Sequence, residues 1–239
     1  MDDGGIATSG SFLNVEQSLG GKRWRPRLTD ERGALAIAQR LGVPDVLGRV
    51  LAARGVDTDT ADAFLDPKLR DLLPDPAHLL GMDRAVTRIV AAINDGEKIG
   101  VFADYDVDGA CSGSLLTRFF SAIGRDVTVY VPDRVAEGYG PNTPALMKLK
   151  DEGVSLVITV DCGTTAFAPL KEAADAGLDV IVVDHHVAEP RLPDAVAVVN
   201  PNRLDETSPV GQLCAAGVTF LVIVAVNRAL RDAFWYGEG

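Results

Sequence analysis

The sequence predicts an α/β fold: a parallel sheet of about five strands with flanking helices, preceded by a helical N-terminal extension. Three observations carry this. Five short apolar runs, Ile99–Ala103, Val127–Val131, Leu156–Val160, Val180–Val183 and Val196–Val199, are mostly β-branched and continuous rather than alternating. Helical stretches near Ser112–Ile123, Thr143–Glu152 and Ala166–Ala176 separate most of them. The first 80 or so residues lack such runs. Continuous runs alternating with helices mark a sheet buried on both faces. Right-handed crossovers then bring every strand's C-terminal end to one edge.

The extension, residues 1–80, reads as helical and irregular. Thr29 or Asp30 caps a helix carrying Leu35, Ala38 and Leu41, which Gly42 ends. Val46, Leu47, Val50 and Leu51 mark a second helix that stops near Gly55, and Thr58 starts a third through Ala61 and Leu65 before Pro67. Leu72 to Pro76 breaks the periodicity and reads as a linker. A helix over Asp83–Asn94 then leads into the first strand of the second domain, residues 81–239.

Composition narrows the function classes. With 47% hydrophobic residues in 239, the chain can bury a substantial core. A net charge of -11 argues against a broad basic surface for nucleic acid, though not against a local groove whose sign bound metal reverses. The apolar stretch Cys214–Val226, about 13 residues, suits a buried helix better than a membrane span. Cys111, Cys162 and Cys214 are odd in number and widely spaced, so buried thiols in a reducing cytosol are expected and a zinc site is not.

The chemistry concentrates at the strand ends. The first run leads into Asp104-Tyr-Asp106-Val-Asp108-Gly109, the third into Asp161-Cys-Gly163, and the fourth into Asp184-His185-His186. Open α/β sheets bind ligands beyond the carboxyl ends of their strands. A single acid there is often only a helix N-cap, and paired histidines alone can be a solvated turn. A calcium loop needs a bidentate glutamate where this chain has Leu115. Three clusters at equivalent strand ends point to metal. Carboxylates with imidazole suit Mn²⁺ or Mg²⁺, and several carboxylates on one edge suit two ions about 3.5–4 Å apart with one acid bridging them.

The motifs V-F-A-D-Y-D-V-D-G, I-T-V-D-C-G and V-V-D-H-H, in that order, resemble the first three motifs of the DHH phosphoesterase superfamily. The segment Arg134-Val-Ala-Glu137-Gly138-Tyr139-Gly140 resembles its single-stranded-DNA exonuclease branch, as do Val199-Asn200-Pro201 and Leu213-Cys-Ala-Ala-Gly217. The resemblance covers roughly Trp24 to Arg231. It implies a Rossmann-like DHH domain and metal-dependent hydrolysis of phosphodiester bonds in single-stranded DNA. It further implies 5′-to-3′ polarity, a role in recombination and repair with DNA repair proteins as partners, a cytoplasmic location and no membrane.

Residue by residue, the resemblance implies Asp106, Asp108, Asp161 and His185 as ligands of two divalent ions, Mn²⁺ or Mg²⁺, with Asp161 bridging and Asp104 a further ligand or a supporting acid. It makes Asp184 an orienting acid and places His186 toward the scissile phosphate. Arg134, Tyr139 and Asn200 are expected against substrate: Arg134 on a phosphate, Tyr139 stacked on a base or ribose. Two other readings stay open: a phosphodiesterase acting on short oligonucleotides or cyclic dinucleotides, and a DHH-like scaffold that binds DNA or protein without catalysis. The superfamily's fourth motif, which supplies another aspartate, has no counterpart after Gly217. The expectation is a domain incomplete at its C-terminus and inactive, or nearly so, on its own.

Overall fold

The computed structural model describes residues 11–28 and 30–237. The chain divides into two compact units, Met1–Leu73 and Pro74–Gly239.

In the first unit, α1 (Glu31–Leu41) starts at Asp30, whose carboxylate accepts the Gly33 N–H at 2.9 Å, and ends at Gly42 in a left-handed conformation. The other expected cap, Thr29, lies outside the described residues. α2 (Asp45–Ala52) packs closely on α1 through Gly48, where a Cβ would meet the Ala34 carbonyl oxygen at 2.2 Å. Ile37, Leu51, Val56 and Ala61 form the small core. α3 (Ala61–Leu65) follows Thr60 rather than Thr58, because Asp57 takes both the backbone N–H and the hydroxyl of Thr60 into a turn. A one-turn α4 (Leu69–Leu72) comes just before the expected linker and overlaps it only at Leu72.

The second unit begins at Pro74, earlier than the boundary at residue 81 expected from the sequence. Residues 74–81 are tied to distant parts of that unit. Asp75 pairs with Arg228 at 3.0 Å, the Leu80 N–H donates to Glu206 at 2.8 Å, and Gly81 lies against the Val198 backbone. α5 (Met82–Asp95) leads into five parallel strands: β1 (Ile99–Ala103), β2 (Val127–Tyr130), β3 (Leu156–Val160), β4 (Asp179–Val183) and β5 (Ala197–Val199). Their spatial order is β2-β1-β3-β4-β5. The three strands that precede the acidic clusters, β1, β3 and β4, are therefore side by side in the centre.

α7 (Thr143–Asp151) and α8 (Phe167–Asp175) cover one face around Phe102, Leu146, Leu149, Val157, Leu170 and Val182. α6 (Val107–Ala122) and α9 (Ala215–Asp232) pack against each other, and α5 packs on α9. Full burial of each large apolar side chain stabilises such a core by roughly 1.5–3 kcal/mol before ordering costs. Past its first residue the apolar run from Cys214 lies in α9, where Ala215, Val218, Leu221, Val222 and Val226 are buried, and among the described residues no helix is long and apolar enough to cross a membrane. Of the thiols, only Cys162 is buried. Cys111 lies on the outer side of α6, and Cys214 precedes α9 in an exposed turn.

Candidate metal centre

The sheet ladder runs one residue past each central strand. The Asp104 N–H donates to Val160 O at 3.3 Å, Asp161 N–H to Val183 O at 3.0 Å, and Asp184 N–H to Val199 O at 3.1 Å. The first acid after each strand is thus pinned to the end of the next strand, which puts three carboxylates in register on one edge.

The D-x-D-x-D run splits into three local roles. α6 starts at Val107, five residues before the expected position, because Asp106 caps it: Oδ1 accepts the N–H groups of Asp108 at 2.9 Å and Gly109 at 3.0 Å. Gly109 lets the helix approach the preceding loop, since a Cβ there would meet Asp104 O at 2.3 Å. Asp104 is buried, and its Oδ1 has no hydrogen-bond partner. Burial raises its pKa, and the Asp106 charge adds to the rise.

Asp108, expected among the ligands, has a second set of partners. It lies in the first turn of α6, and its carboxylate accepts the N–H groups of Ala215 at 2.8 Å and Ala216 at 2.7 Å. It therefore caps α9, whose own N-cap residue, Cys214, supplies no side-chain bond. Its nearest approach to the imidazoles is 3.6 Å, from Oδ2 to His185 Nε2.

Asp161 is central. Ligand atoms of Asp104, Asp106 and Asp161 lie within 4.8 Å of one another, and so do those of Asp161, His185 and His186. Asp161 belongs to both groups. Its side chain is 3% exposed, and its Oδ1 accepts no hydrogen bond although His185 Nε2 is 3.3 Å away. Burial, helped by the neighbouring Asp106 and Asp108 carboxyls, pushes its pKa up to about 8. Its backbone is left-handed, with φ 61°. Two buried, unpartnered carboxylate oxygens on Asp104 and Asp161, facing acids and imidazole rather than cations, are the donor set that a hard divalent ion fits.

Asp184 organises the histidines from below. Its Oδ1 accepts the His185 N–H at 2.7 Å and lies 2.7 Å from His186 Nδ1, while Oδ2 accepts the Thr164 N–H at 3.1 Å. Burial works against its charge, but the bonds from His186 and Thr164 prevail and lower its pKa. His186 is the reciprocal case: burial opposes its charge, and Asp184 holds its pKa raised. Asn200, expected against substrate, is instead fully buried behind this layer. Its amide donates to Thr164 Oγ1 at 2.9 Å and to the His186 carbonyl at 2.8 Å, and its Oδ1 accepts the Asn202 N–H at 2.8 Å. Both hydrogens of that amide are thus spent inside the protein.

The loop after β2 is tied by Glu137, which accepts from the Asp133 N–H at 2.8 Å, the Tyr130 hydroxyl at 2.7 Å and Asn142 Nδ2 at 3.1 Å. Arg134 is exposed on it, its guanidinium 4.9 Å from the centre of the Tyr105 ring. Tyr139 lies between two left-handed glycines, Gly138 and Gly140. Its ring is half exposed, and its hydroxyl donates to the Asp161 carbonyl at 3.0 Å and lies 3.3 Å from His186 Nδ1. The supporting roles of Glu137, Thr164 and Asn202 do not emerge from sequence. Thr164 and Glu137 carried a signal, standing in the motif after β3 and in the Arg134–Gly140 segment, whereas Asn202 acts through contacts that no local pattern announces.

Residues 98–234 match the family described as "DHH family, N-terminal domain". The chain is 38% identical over 211 residues to a single-stranded-DNA-specific exonuclease RecJ of Bacillus subtilis, which covers 88% of this chain and 27% of that protein. Among solved structures, RecJ of Thermus thermophilus in complex with Mn²⁺ superposes with a TM-score of 0.67 at 30% identity, covering 85% of this chain and 28% of the other. The same protein in complex with Mg²⁺ gives 0.54 at 26% identity, over 85% and 24%. The chain thus spans about a quarter to a third of the curated relatives it matches.

Proposed function

The chain belongs to the DHH family, and from that premise we propose that it supplies the metal-binding part of a nuclease that hydrolyses phosphodiester bonds in single-stranded DNA with Mn²⁺ or Mg²⁺. The observation that carries this reading is Asp161, buried and shared by two potential ligand groups. Bound divalent ions supply a water of lowered pKa and neutralise charge developing on the phosphoryl oxygens. Asp104, Asp106 and Asp161 would hold one ion, and Asp161 with His185 the other. Asp184 keeps the proton of His186 on Nδ1, which leaves Nε2 for the scissile phosphate. Arg134, exposed on the loop after β2, is the phosphate contact. Attack from a 5′ end, a role in recombination and repair with repair proteins as partners, and a cytoplasmic location complete the reading. The first unit serves as the extension to the DHH domain.

The test is to titrate the purified chain with Mn²⁺ and to offer it 5′-labelled single strands and dinucleotides in parallel. The expected result is metal binding with release of mononucleotides from long strands, and loss of that release in Asp161→Ala. Hydrolysis of dinucleotides alone would replace the exonuclease with a short-oligonucleotide phosphodiesterase. Absence of Mn²⁺ binding would leave the scaffold reading.

A further inference from the structure

We propose that the Tyr139 hydroxyl is a positioning group for Asp161: it holds the aspartate's backbone in the left-handed conformation that aims the carboxylate at both ligand groups. The proposal rests on the metal reading above and adds a residue to it.

Asp161 is one of four non-glycine residues with positive φ among the described residues, and the only one of them at the strand ends that carry the acids. Side chains with a Cβ disfavour that region, although aspartate tolerates it better than most. Such a conformation persists only when its surroundings over-determine it. Two bonds do so here. The Asp161 N–H is fixed by Val183 O at 3.0 Å, as the last rung of the ladder between β3 and β4. Its carbonyl, which takes no part in the ladder, is met by the Tyr139 hydroxyl at 3.0 Å. The ladder alone would let the peptide after Asp161 continue as strand. The hydroxyl bond favours the turn at Asp161 itself, beside the Thr159 hydroxyl that holds the following Cys162 carbonyl at 3.0 Å.

The phenol is suited to donate. A phenol keeps its proton at neutral pH. The proton is also free for Asp161, because the hydrogen on His186 Nδ1 is directed to Asp184 at 2.7 Å and the Tyr139 oxygen is a longer contact at 3.3 Å. The loop that carries Tyr139 is itself held, through the three bonds to Glu137 and the paired left-handed glycines on either side. The ring packs edge-on against His186 with centroids 5.8 Å apart. The same residue can therefore position Asp161 through its oxygen and still present half of its surface to a ligand.

The experiment compares wild type with Tyr139→Phe, which keeps the ring and removes the oxygen. Mn²⁺ affinity is measured by calorimetry on the full chain. In the ion-free chain, the Asp161 carbonyl carbon resonance and its HN–Hα coupling are recorded by NMR. The expected result is a shifted Asp161 carbonyl resonance and an Mn²⁺ affinity about tenfold weaker, within the range usual for groups that orient ligands, with a melting temperature close to wild type. A Tyr139→Phe chain whose affinity stays within about twofold overturns the proposal, whether or not the resonance moves. So does weakened affinity with an unmoved resonance, since the effect would then bypass Asp161. If wild type itself binds no Mn²⁺, the metal reading fails. The ion-free resonance then decides separately whether Tyr139 holds Asp161.

Discussion

The two edges of the sheet carry comparable acids in opposite circumstances. At the edge where the strands begin, Glu97 and Asp179 flank β1 and β4, and Arg88 of α5 reaches both: its Nη2 is 2.6 Å from Glu97 and its Nε 2.5 Å from Asp179. Ser155 adds a hydroxyl bond to Glu97. Arg88 and Ser155 together lower the Glu97 pKa against the effect of burial. At the edge where the strands end, Asp104, Asp106 and Asp161 converge with no lysine or arginine in ion-pair contact among the described residues, and the Asp161 pKa rises to about 8. An acid that stabilises a fold comes with its cation in the chain. Acids gathered without one leave a positive charge to be supplied from outside.

This contrast predicts opposite signs for mutation at the two edges. The largest effect should come from Arg88→Ala. It leaves two partly buried carboxylates facing each other, and breaking such a pair from one side costs about 3 kcal/mol, discounted here for solvent access. Urea unfolding without metal should show that loss. Asp161→Asn should do the reverse without metal and raise stability by about 2 kcal/mol, because a buried unpaired carboxyl is replaced by a neutral amide. The sign follows from linkage. A carboxyl with a raised folded pKa penalises the fold increasingly as pH climbs from about 4, and the penalty levels off above about 8. With Mn²⁺ at a hundred times its Kd the order should invert, since wild type gains about 2.7 kcal/mol by mass action and the variant does not. If Asp161→Asn destabilises the ion-free chain, the two edges do not differ in this way.

Glu97→Gln sharpens the comparison through pH. The folded pKa of Glu97 is depressed, so its contribution is present above the unfolded value and is lost as pH falls through the folded one. At pH 7 the substitution should cost about 1–2 kcal/mol, and the cost should shrink as pH falls below the ordinary glutamate value of about 4.3. Melting curves across that range check the slope. A constant difference would mean that packing rather than charge links Glu97 to Arg88.

Much of this arrangement is legible in the sequence because it is local. The continuous β-branched runs predict β1 and β3 to the residue, and motif order places Asp104, Asp161 and Asp184 on one edge. What escapes is set by partners distant along the chain or by backbone geometry. Val131 extends an apolar run past the last paired residue of β2, and Val196, although its N–H donates to Val180 O at 2.8 Å, stands one residue before β5. The early start of α6 escapes because an acid in a metal motif and an acid that caps a helix look alike, and Asp106 does the second while standing beside the first. The positive φ of Asp161 has no sequence mark at all. Asn200 reads as a strand-end polar residue like the others, and only its complete burial assigns it to the support behind the histidines.

Asp108 tests the smallest difference, between two acids of one motif two residues apart. Asp106 belongs to a compact ligand group with Asp104 and Asp161. Asp108 instead satisfies two N–H groups at the start of α9, 107 and 108 residues along the chain. A helix N-terminus leaves four such groups unpaired, and a carboxylate there also meets the positive end of the helix dipole. Loss of a cap costs about 1 kcal/mol. Asp108→Asn should therefore lower ion-free stability by about that much, because the amide can accept through one oxygen only. It should speed hydrogen exchange at the Ala215 and Ala216 amides while leaving Mn²⁺ affinity within a few-fold of wild type. Asp106→Asn should show a large loss of affinity. If instead Asp108→Asn loses Mn²⁺ as completely as Asp106→Asn, with α9 amide exchange unchanged, then Asp108 is a ligand and its bonds to α9 are incidental to the ion-free state.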